Sequence, residues 1–469
     1  MLQTLKNAWK TREIRSKILF TLFILLLYRV GTVIPVPFVD ANNFAGQFQG
    51  TILDYLNILS GGSLGTATLF ALGVSPYINA SIIIQLLSVV FPRLGDIAKN
   101  DKKKMAFITR IVTVVLALVT AIGYFFLVKN AGMLTTAATG KASWFYATVI
   151  IACYCAGASM IMWLADRINE RGIGNGISLI LFANIVSSMP SYAYQLVNLC
   201  INTFSYEQPV GYAIASIAFA LALLAIIIAM TVFVIWVTGS ERRIPIQYAK
   251  RVVGRKMYGG QSSNLPIKLN MTGVMPVIFA SSIVSLVPTI LALCGVTGEG
   301  KTGWDTFARV MGSDGIIYPI ALFILIIAFA YFYTQITFDP IEVANNLKRQ
   351  GGAIPGIRQG RPTADYIRKI LNKITLAGAL FLSIVAVIPV IVGPHLVEPL
   401  IAWILKGQLA SWTSGDMTSM LSTVASNAQA LASVFTFGGT TLLIVVGVAI
   451  ETYRELEAQL TMRNYKGFL

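Results

Sequence analysis

The sequence LSGGSLGTATLFALGVSPYINASIIIQLLSVVFP occupies residues 59–92 and decides the fold. Glycines interrupt its first part, and Gly73 and Pro76 then lead into a strongly apolar helix. Non-helical backbone at the depth of a membrane persists only where protein buries it or a water-filled cavity solvates it. We therefore predict that the chain builds a polar path through a membrane and that residues 59–92 line this path.

The composition is typical of a polytopic membrane protein. Apolar residues make up 56% of the chain and charged residues 12%, with a mean hydropathy of +0.72, whereas soluble domains are less apolar and about twice as charged. Stretches of about 20 apolar residues are long enough to cross the hydrocarbon layer as helices. Ten such stretches are predicted, at residues 18–34, 67–92, 106–128, 144–165, 174–195, 212–238, 271–295, 316–338, 372–394 and 430–450.

The distribution of positive charge predicts the orientation of these spans. Ten spans put both termini on one side, and the connections on that side hold 28 Lys and Arg residues against 5 on the opposite side. Loops rich in Lys and Arg face the cytoplasm. The net charge of +16 is therefore a topology signal, and both termini are expected to be cytoplasmic.

Residues 295–302, with the sequence GVTGEGKT, match the pattern of a phosphate-binding loop. That loop needs a preceding strand and a following helix whose N-terminus holds the phosphates. Here the match follows a membrane helix and lies on the side opposite the basic loops. We interpret it as a chance match and predict that the chain is not an enzyme.

No spacing of residues indicates a metal or a cofactor. The four cysteines lack the paired spacing of a metal site, and no acidic residue lies clearly within the core of a span. Ion-coupled transporters usually carry such intramembrane carboxylates. We expect no catalytic residue, metal or cofactor. Two rival classes are less well supported: a secondary transporter, which should show an ionisable site at the midplane, and a membrane ATPase, which would rest on residues 295–302 alone.

Two long basic loops lie on the cytoplasmic side, at residues 239–270 and 339–371. In the first, Ile244, Ile246 and Tyr248 alternate with polar residues, which favours a protruding hairpin with a basic rim. The second contains a glycine- and proline-rich turn, PGIRQG. We predict that both loops bind an anionic partner, either RNA or an acidic protein face.

Several long runs resemble the bacterial SecY family, in the family's order and over essentially the whole chain. They are SGGSLGTATLFALGVSPYINASIIIQLL, RGIGNGISL, ERRIPIQYAKRVVGR, LPIKLNMTGVMPVIFASSI, PGIRQGRPT and FGGTTLLIVVGVAIET. The resemblance implies a protein-conducting channel of the general secretion pathway. Such a channel passes unfolded polypeptides across the membrane and releases apolar segments laterally into lipid.

The resemblance also implies the architecture. The fold is all-α, with ten transmembrane helices in two inverted, pseudo-symmetric halves of five helices that open like a clamshell. Residues 1–200 form the N-terminal half with spans 1–5, and residues 201–469 form the C-terminal half with spans 6–10. The broken second span supplies a plug at about residues 60–70, represented by Gly61, Gly62, Leu64, Gly65 and Leu69.

Three further sets of residues follow from the resemblance. An aliphatic pore ring, which with the plug seals the resting channel, maps to Ile78, Ile82, Ile177, Leu181, Ile278 and Ile444. A lateral gate between the second, third, seventh and eighth spans maps to Ser81, Gln85, Ser88, Ser281, Ser282 and Ser285. The contacts with a motor or a ribosome map to Arg242, Arg243, Lys250, Arg251, Arg255 and Arg358.

The implied partners are the membrane subunits SecE and SecG, the SecA motor, the ribosome, polypeptides that bear a signal sequence, and the phospholipid bilayer. SecA or ribosomal synthesis would supply the energy, since the channel itself is passive. The implied location is the bacterial plasma membrane, as a multi-pass protein with both termini in the cytoplasm.

Overall fold

A computed structural model of the chain is mainly α-helical. It describes residues 2–40, 56–57, 59–130, 132–135, 143–205, 210–248, 251–253, 256–258, 262–293, 303–312, 315, 317–397, 399–400 and 439–461. Residues 295–302, which match a phosphate-binding pattern, lie outside this described part.

The N-terminal half contains seven of the described helices. They are α1 (Leu2–Lys10), α2 (Arg12–Gly31), α3 (Ser75–Val90), α4 (Pro92–Asn100), α5 (Lys102–Asn130), α6 (Ser143–Arg171) and α7 (Gly176–Ser205). The described helices of the C-terminal half are α8 (Val210–Gly239), α9 (Met275–Leu293), α10 (Gly303–Met311), α11 (Ile317–Thr337), α12 (Pro340–Arg349), α13 (Arg361–Val392), a π-helical turn (Gly393–Val397) and α14 (439–461).

Within the described residues, five helical stretches are long and apolar enough to cross a membrane. They are Lys103–Asn130, Trp144–Arg171, Ile217–Gly239, Ile317–Arg349 and Arg361–Val397. Shorter apolar helices occupy Gly176–Ser191 and Met275–Leu291. A helix overlaps each of the ten predicted windows, but the count of ten spans stays a prediction.

The second predicted span is broken more thoroughly than the sequence indicates. Residues 60–74, which we call the turn segment, form consecutive turns rather than a helix. Gly73 has a φ of +56°, a backbone conformation that side chains with a Cβ rarely adopt. Helix α3 then begins at Ser75, with Pro76 in its first turn, and ends where α4 turns away by 117° at Phe91–Pro92.

The first basic loop forms the predicted hairpin. Strand β1 (Glu241–Tyr248) pairs antiparallel with β4 (Ser262–Lys268), and β2 (Arg251–Val253) pairs with β3 (Lys256–Tyr258). A short strand in the second loop, β5 (Gly352–Ala353), adds to the free edge of β1 through Gln247 and Tyr248. The alternating Ile244 and Ile246 are buried in an apolar cluster that also includes Ile367 of α13, so the two basic loops form one packed unit.

The largest apolar cluster lies where the two halves meet. It takes buried residues from α3, α6 and α7 of the N-terminal half and from α9, α11, α13 and α14 of the C-terminal half. A second cluster lies within the N-terminal half and joins the turn segment to α5 and α6. These two clusters position the candidate site.

Candidate functional site

The six aliphatic residues predicted to form a ring all belong to the cluster between the halves. Ile78 and Ile82 of α3, Leu181 of α7, Ile278 of α9 and Ile444 of α14 are between 1% and 5% exposed. Ile177 is partly buried and packs against the same cluster. The structure therefore brings together side chains from the four helices that the prediction named, although the cluster contains many other residues. Their role as a pore ring stays a prediction.

The i, i+4 spacing of Ile78 and Ile82 places both side chains on one face of α3. This face is buried, whereas Ile83, one position further along the helix, is 40% exposed. Ile278 occupies the corresponding buried position on α9, which packs directly against α3. The centre of the interface is thus tightly packed and apolar, as the predicted ring requires.

The turn segment is fastened to the N-terminal half by its backbone. The Tyr124 hydroxyl donates to the Leu64 carbonyl oxygen, and the Leu69 amide donates to the Ile34 carbonyl oxygen at 2.9 Å. The Gly65 amide donates to the Asn57 side-chain oxygen at 2.8 Å. Each of these bonds satisfies a backbone group that a helix would otherwise satisfy internally.

Glycine 157 lets the turn segment lie close to α6. A Cβ built on Gly157 would stand 1.9 Å from the Leu69 carbonyl oxygen, so only glycine permits this approach. Leu64 is 6% exposed in the cluster with Tyr124 and Tyr154, whereas Leu69 is partly buried against the cluster between the halves. The turn segment therefore spans both clusters.

A buried asparagine, which the sequence interpretation missed, anchors the start of the turn segment. Asn184 of α7 is fully buried, and its amide nitrogen donates to the Leu59 carbonyl oxygen at 2.7 Å and to the Tyr28 hydroxyl at 2.9 Å. Its own oxygen has no hydrogen-bond partner among the described residues. The available signal was a single amide side chain inside the apolar run LILFANIV.

Arg29 reaches the same place from α2. One of its guanidinium nitrogens donates to the Gly61 carbonyl oxygen at 3.4 Å. Gly61 has a φ of +68°, and a Cβ there would lie 2.8 Å from the Asn184 side-chain oxygen and 2.9 Å from Arg29 Nη1. We call Tyr28, Arg29 and Asn184 the anchor of the turn segment.

The hydrogen bonds at the predicted lateral gate agree only in part with the prediction. Gln85 and Ser81 of α3 share a hydrogen bond of 3.0 Å, and the Ser88 hydroxyl donates to the Gln85 carbonyl oxygen. The bond that crosses to another helix comes from the Tyr333 hydroxyl of α11, which donates to the Gln85 side-chain oxygen. Tyr333 was not predicted.

The serines of α9 bond within their own helix. The Ser281 and Ser285 hydroxyls donate to the Ile278 and Ser282 carbonyl oxygens, each at 3.0 Å. Serines that bond to the preceding turn need no partner on another helix. Helix α9 nevertheless packs against α3, α5 and α11, so the predicted seam exists as a packing interface, and the gate role of these residues stays a prediction.

The predicted docking residues that the structure describes are exposed. Arg242 and Arg243 lie on β1, and Arg243 forms an ion pair of 2.8 Å with Glu241. Lys250 and Arg255 lie outside the described residues, and the side chain of Arg251 in β2 is not described. At the base of the hairpin, burial and then the charge of Arg454 lower the pKa of Lys268, against the opposing effect of Glu241.

Arg358 projects from a turn that is held at both ends. Gly356 and Gly360 have φ values of +80° and +96°, which glycine adopts without strain. The Thr363 hydroxyl donates to the Arg358 carbonyl oxygen at 2.8 Å, and the side-chain nitrogen of Gln359 donates to the Gly352 carbonyl oxygen at 3.2 Å. The exposed guanidinium is therefore presented on a rigid turn.

The described residues contain no group of three or more His, Cys, Asp or Glu side chains that could hold a metal ion. One carboxylate, Asp166 of α6, forms an ion pair of 2.7 Å with Arg110 of α5. Arg110, near the start of the third predicted span, therefore has an ion-pair partner within the chain.

The fold is that of the protein-conducting channels. A solved structure described as "The structure of a protein conducting channel" matches with a TM-score of 0.59 at 18% identity, over 95% of this chain and 92% of the other. A second, described as "The plug domain of the SecY protein stablizes the closed state of the translocation channel and maintains a membrane seal", matches with a TM-score of 0.61 at 19% identity over the same shares.

The family follows from the sequence comparisons. The SecY family model matches residues 68–453. The chain is 38% identical over 485 aligned positions to "Protein translocase subunit SecY" of Streptomyces galbus, and 39% identical over 488 to the protein of the same description from Mycobacterium bovis. Both alignments cover the full length of both chains. The chain therefore belongs to the SecY family.

Proposed function

We propose that this chain is the protein-conducting channel subunit of a secretion translocase. The observation that carries the proposal is the buried apolar cluster between the two halves, with the turn segment packed beside it. Five of its members, Ile78, Ile82, Leu181, Ile278 and Ile444, come from both halves and are almost fully buried. A path that opens between the halves would pass through this cluster.

The turn segment is the plug in this proposal. Its short turns contact the cluster through Leu69, Phe70 and Val74, and polar bonds from Tyr124, Asn184 and Arg29 add to this packing. The plug must contact the constriction to seal the membrane. It must also be able to leave when the channel opens, and separate weak bonds can break one after another. Hydrogen bonds within a membrane protein contribute about 0.6 kcal/mol each on average, so the polar part of this fastening is weak, and an arriving polypeptide would have to replace the apolar contacts of the segment.

The seam between α3 and its neighbours α9 and α11 is the lateral exit. A signal sequence carries an apolar stretch of about 7–15 residues, which gains free energy when it moves from the channel into lipid. The Tyr333–Gln85 bond closes the seam near the cytoplasmic end of α3. Breaking this single bond and separating aliphatic side chains would open the seam.

The exposed basic loops fit a large anionic or acidic partner. Two further solved structures, described as "Sec61 in the Canine ribosome-channel complex from the endoplasmic reticulum" and "Cryo-EM structure of idle yeast Ssh1 complex bound to the yeast 80S ribosome", match with TM-scores of 0.56 and 0.53. By analogy, Arg242, Arg243 and Arg358 would contact a ribosome or the SecA motor. SecE and SecG would complete the membrane complex.

The location in this proposal is the bacterial plasma membrane with both termini in the cytoplasm. The contact between the two ends of the chain supports the shared side. Ala8 of α1 and Leu456 of α14 belong to one apolar cluster, and Lys17 donates to Gln459 at 3.1 Å. Both termini can lie on the same side of the membrane only if the number of spans is even.

The test is reconstitution of the chain with SecE and SecA in lipid vesicles. We expect ATP and a precursor that bears a signal sequence to give a protease-protected product, because the motor would push the chain through the path between the halves. The same precursor without its signal sequence is the control and should stay accessible. Absence of protected product in vesicles where another SecY protein works would refute the proposal.

A further inference from the structure

The connection between α6 and α7 is a glycine-rich segment, residues 172–176 with the sequence GIGNG, which we call the glycine loop. A Cβ built on Gly172 would lie 2.6 Å from the Thr21 hydroxyl of α2. Gly174 has a φ of +83°, and a Cβ there would lie 3.2 Å from the Thr452 hydroxyl of α14. The loop therefore fits closely against both α2 and α14, and none of the functions proposed above uses this contact.

Apolar side chains bury the contact between the glycine loop and the two ends of the chain. They are Ile173 of the loop, Ala8 of α1, Ile14 of α2 and Leu456 of α14, and each is at most 5% exposed. The Ile173 amide also donates to the Thr21 hydroxyl oxygen at 3.1 Å. Leu456 belongs to the C-terminal half and the other residues belong to the N-terminal half, so this small cluster joins the halves away from the large cluster at their centre.

Polar bonds connect α14 to both halves at the same place. Lys17 of α2 donates to the side-chain oxygen of Gln459 at 3.1 Å. Arg454 donates to the Thr238 carbonyl oxygen of α8 at 3.3 Å, which holds α14 to its own half. We call the glycine loop, together with these contacts of α1, α2 and α14, the clasp.

Helix α7 runs from the clasp to the other connection between the halves. It begins at Gly176, at the end of the glycine loop, and ends at Ser205, and α8 of the C-terminal half begins at Val210. Its 30 residues make it about 45 Å long, which exceeds the hydrocarbon thickness of about 30 Å. The halves are thus joined by the clasp at one membrane surface and by the chain itself at the other.

Two bodies that are joined at two separated points can turn only about the line through those points. Here that line runs along α7 and across the membrane. Among the described residues, none of the clasp contacts comes from α3, α9 or α11, which form the exit seam. Hinges absorb motion in a few residues at loops and element ends, and the clasp residues lie at such positions.

We propose that the clasp is a pivot on which the two halves turn when the seam between α3 and α11 opens. This inference rests on the proposed function, from which it takes the topology and the exit seam. Displacements close to a rotation axis are small, so the clasp keeps its contacts while the seam separates. The halves then open along the whole length of the seam rather than at one membrane surface.

The first test cross-links the clasp in the full chain, reconstituted with SecE and SecA. The four native cysteines are replaced, and Lys17→Cys is joined to Gln459→Cys by a short bifunctional thiol reagent. We expect protease-protected product to stay within about twofold of its level before cross-linking, since a pivot keeps its contacts. The matched control joins Gln85→Cys to Tyr333→Cys across the seam, and this cross-link should reduce the product about tenfold or more.

A block by the clasp cross-link as strong as the block at the seam would overturn the proposal. Absence of product before any cross-linking would instead refute the proposed function. A second measurement, which needs no translocation, then decides on the clasp alone.

The second measurement is the distance between spin labels at positions 17 and 459, with and without a signal peptide. We expect one narrow distribution that the peptide does not change. Gly174→Leu should broaden it, because its side chain would extend from a Cβ that already lies 3.2 Å from the Thr452 hydroxyl. The control is Gly132→Leu, where φ is +70° but a Cβ would meet no atom within 4 Å, so that only the left-handed backbone cost is shared. A change with the peptide, or equal distributions in the two variants, would overturn the proposal.

Discussion

The position of the Asn184 side chain requires a glycine at position 61. The side-chain nitrogen of Asn184 donates to both the Tyr28 hydroxyl and the Leu59 carbonyl oxygen. The buried side-chain oxygen of Asn184 lies so close to residue 61 that only a glycine fits there. Because Asn184 is bonded on its nitrogen side, it cannot move away from a new methyl group without losing those bonds. Gly62 also has a positive φ, of +87°, but a Cβ there would meet no atom within 4 Å.

The two glycines therefore give a matched prediction. Both Gly61→Ala and Gly62→Ala incur the left-handed backbone cost of about 1–2 kcal/mol. Gly61→Ala alone also disrupts the anchor, with a further loss of about 1–3 kcal/mol for buried groups left without partners. We expect Gly61→Ala to lower the thermal unfolding temperature more than Gly62→Ala does, and to raise the resting ion leak of vesicles. Equal effects of the two variants would show that Asn184 does not hold the turn segment.

At the scale of elements, the local features could be predicted and the pairings between elements could not. Gly73 and Pro76 predict the break before α3, and the alternation of Ile244 and Ile246 predicts the hairpin, because both signals are contained in a few adjacent residues. The addition of β5 to β1, and the bond between Tyr333 and Gln85, join residues far apart in the sequence. A single tyrosine or a two-residue strand carries no periodic signal.

The same limit explains which contacts at the candidate site the sequence did not indicate. The resemblance places the six aliphatic residues, since long runs of sequence carry that alignment, and the structure finds them in one cluster. The predicted plug residues form a run of turns, because the Gly61, Gly62 and Gly73 conformations with positive φ do not propagate a helix. Ser281 and Ser285 of α9 bond within their own helix, and a polar pattern in a sequence does not say which neighbour each hydroxyl contacts.

The seam between α3 and α11 yields a prediction about one hydroxyl group. Tyr333→Phe removes the donor to Gln85 and keeps the ring, which packs against Phe279 at 5.2 Å. Loss of one such bond, worth about 0.6 kcal/mol, changes an opening equilibrium about threefold. We expect precursors with shortened apolar signal segments to be translocated more efficiently by this variant, measured as protease-protected product.

The control for that variant is Tyr331→Phe on the same helix. The Tyr331 hydroxyl donates to the Asn372 carbonyl oxygen at 3.2 Å, which joins α11 to α13 rather than to α3. Tyr331→Phe should leave the translocation of precursors with shortened apolar signal segments unchanged. If both variants behave alike, the effect belongs to α11 as a whole and not to the seam.

At the scale of the whole molecule, buried aliphatic and aromatic residues from both halves form one cluster. The polar bonds of the candidate site lie around this cluster: the anchor on α2 and α7, Tyr124 on α5, and the Gln85–Tyr333 pair. Apolar contacts have no preferred direction, so in the proposed channel the halves would separate at this cluster without leaving unpaired polar groups there. The polar bonds would then determine which parts move with which half.

The centre of the interface carries the last prediction, for the double variant Ile82→Gly and Ile278→Gly. Both side chains are at most 5% exposed and come from opposite halves, so their removal widens and wets the constriction, and resting vesicles should leak ions. The matched control, Ile324→Gly with Ile388→Gly, makes the same change at positions 60% and 49% exposed, where the helix propensity cost of about 1 kcal/mol per glycine or less is similar but the interface is intact. The measurement is the ion conductance of vesicles in the absence of precursor and motor. Unchanged conductance in the first variant, with both proteins folded, would mean that these residues do not form the seal.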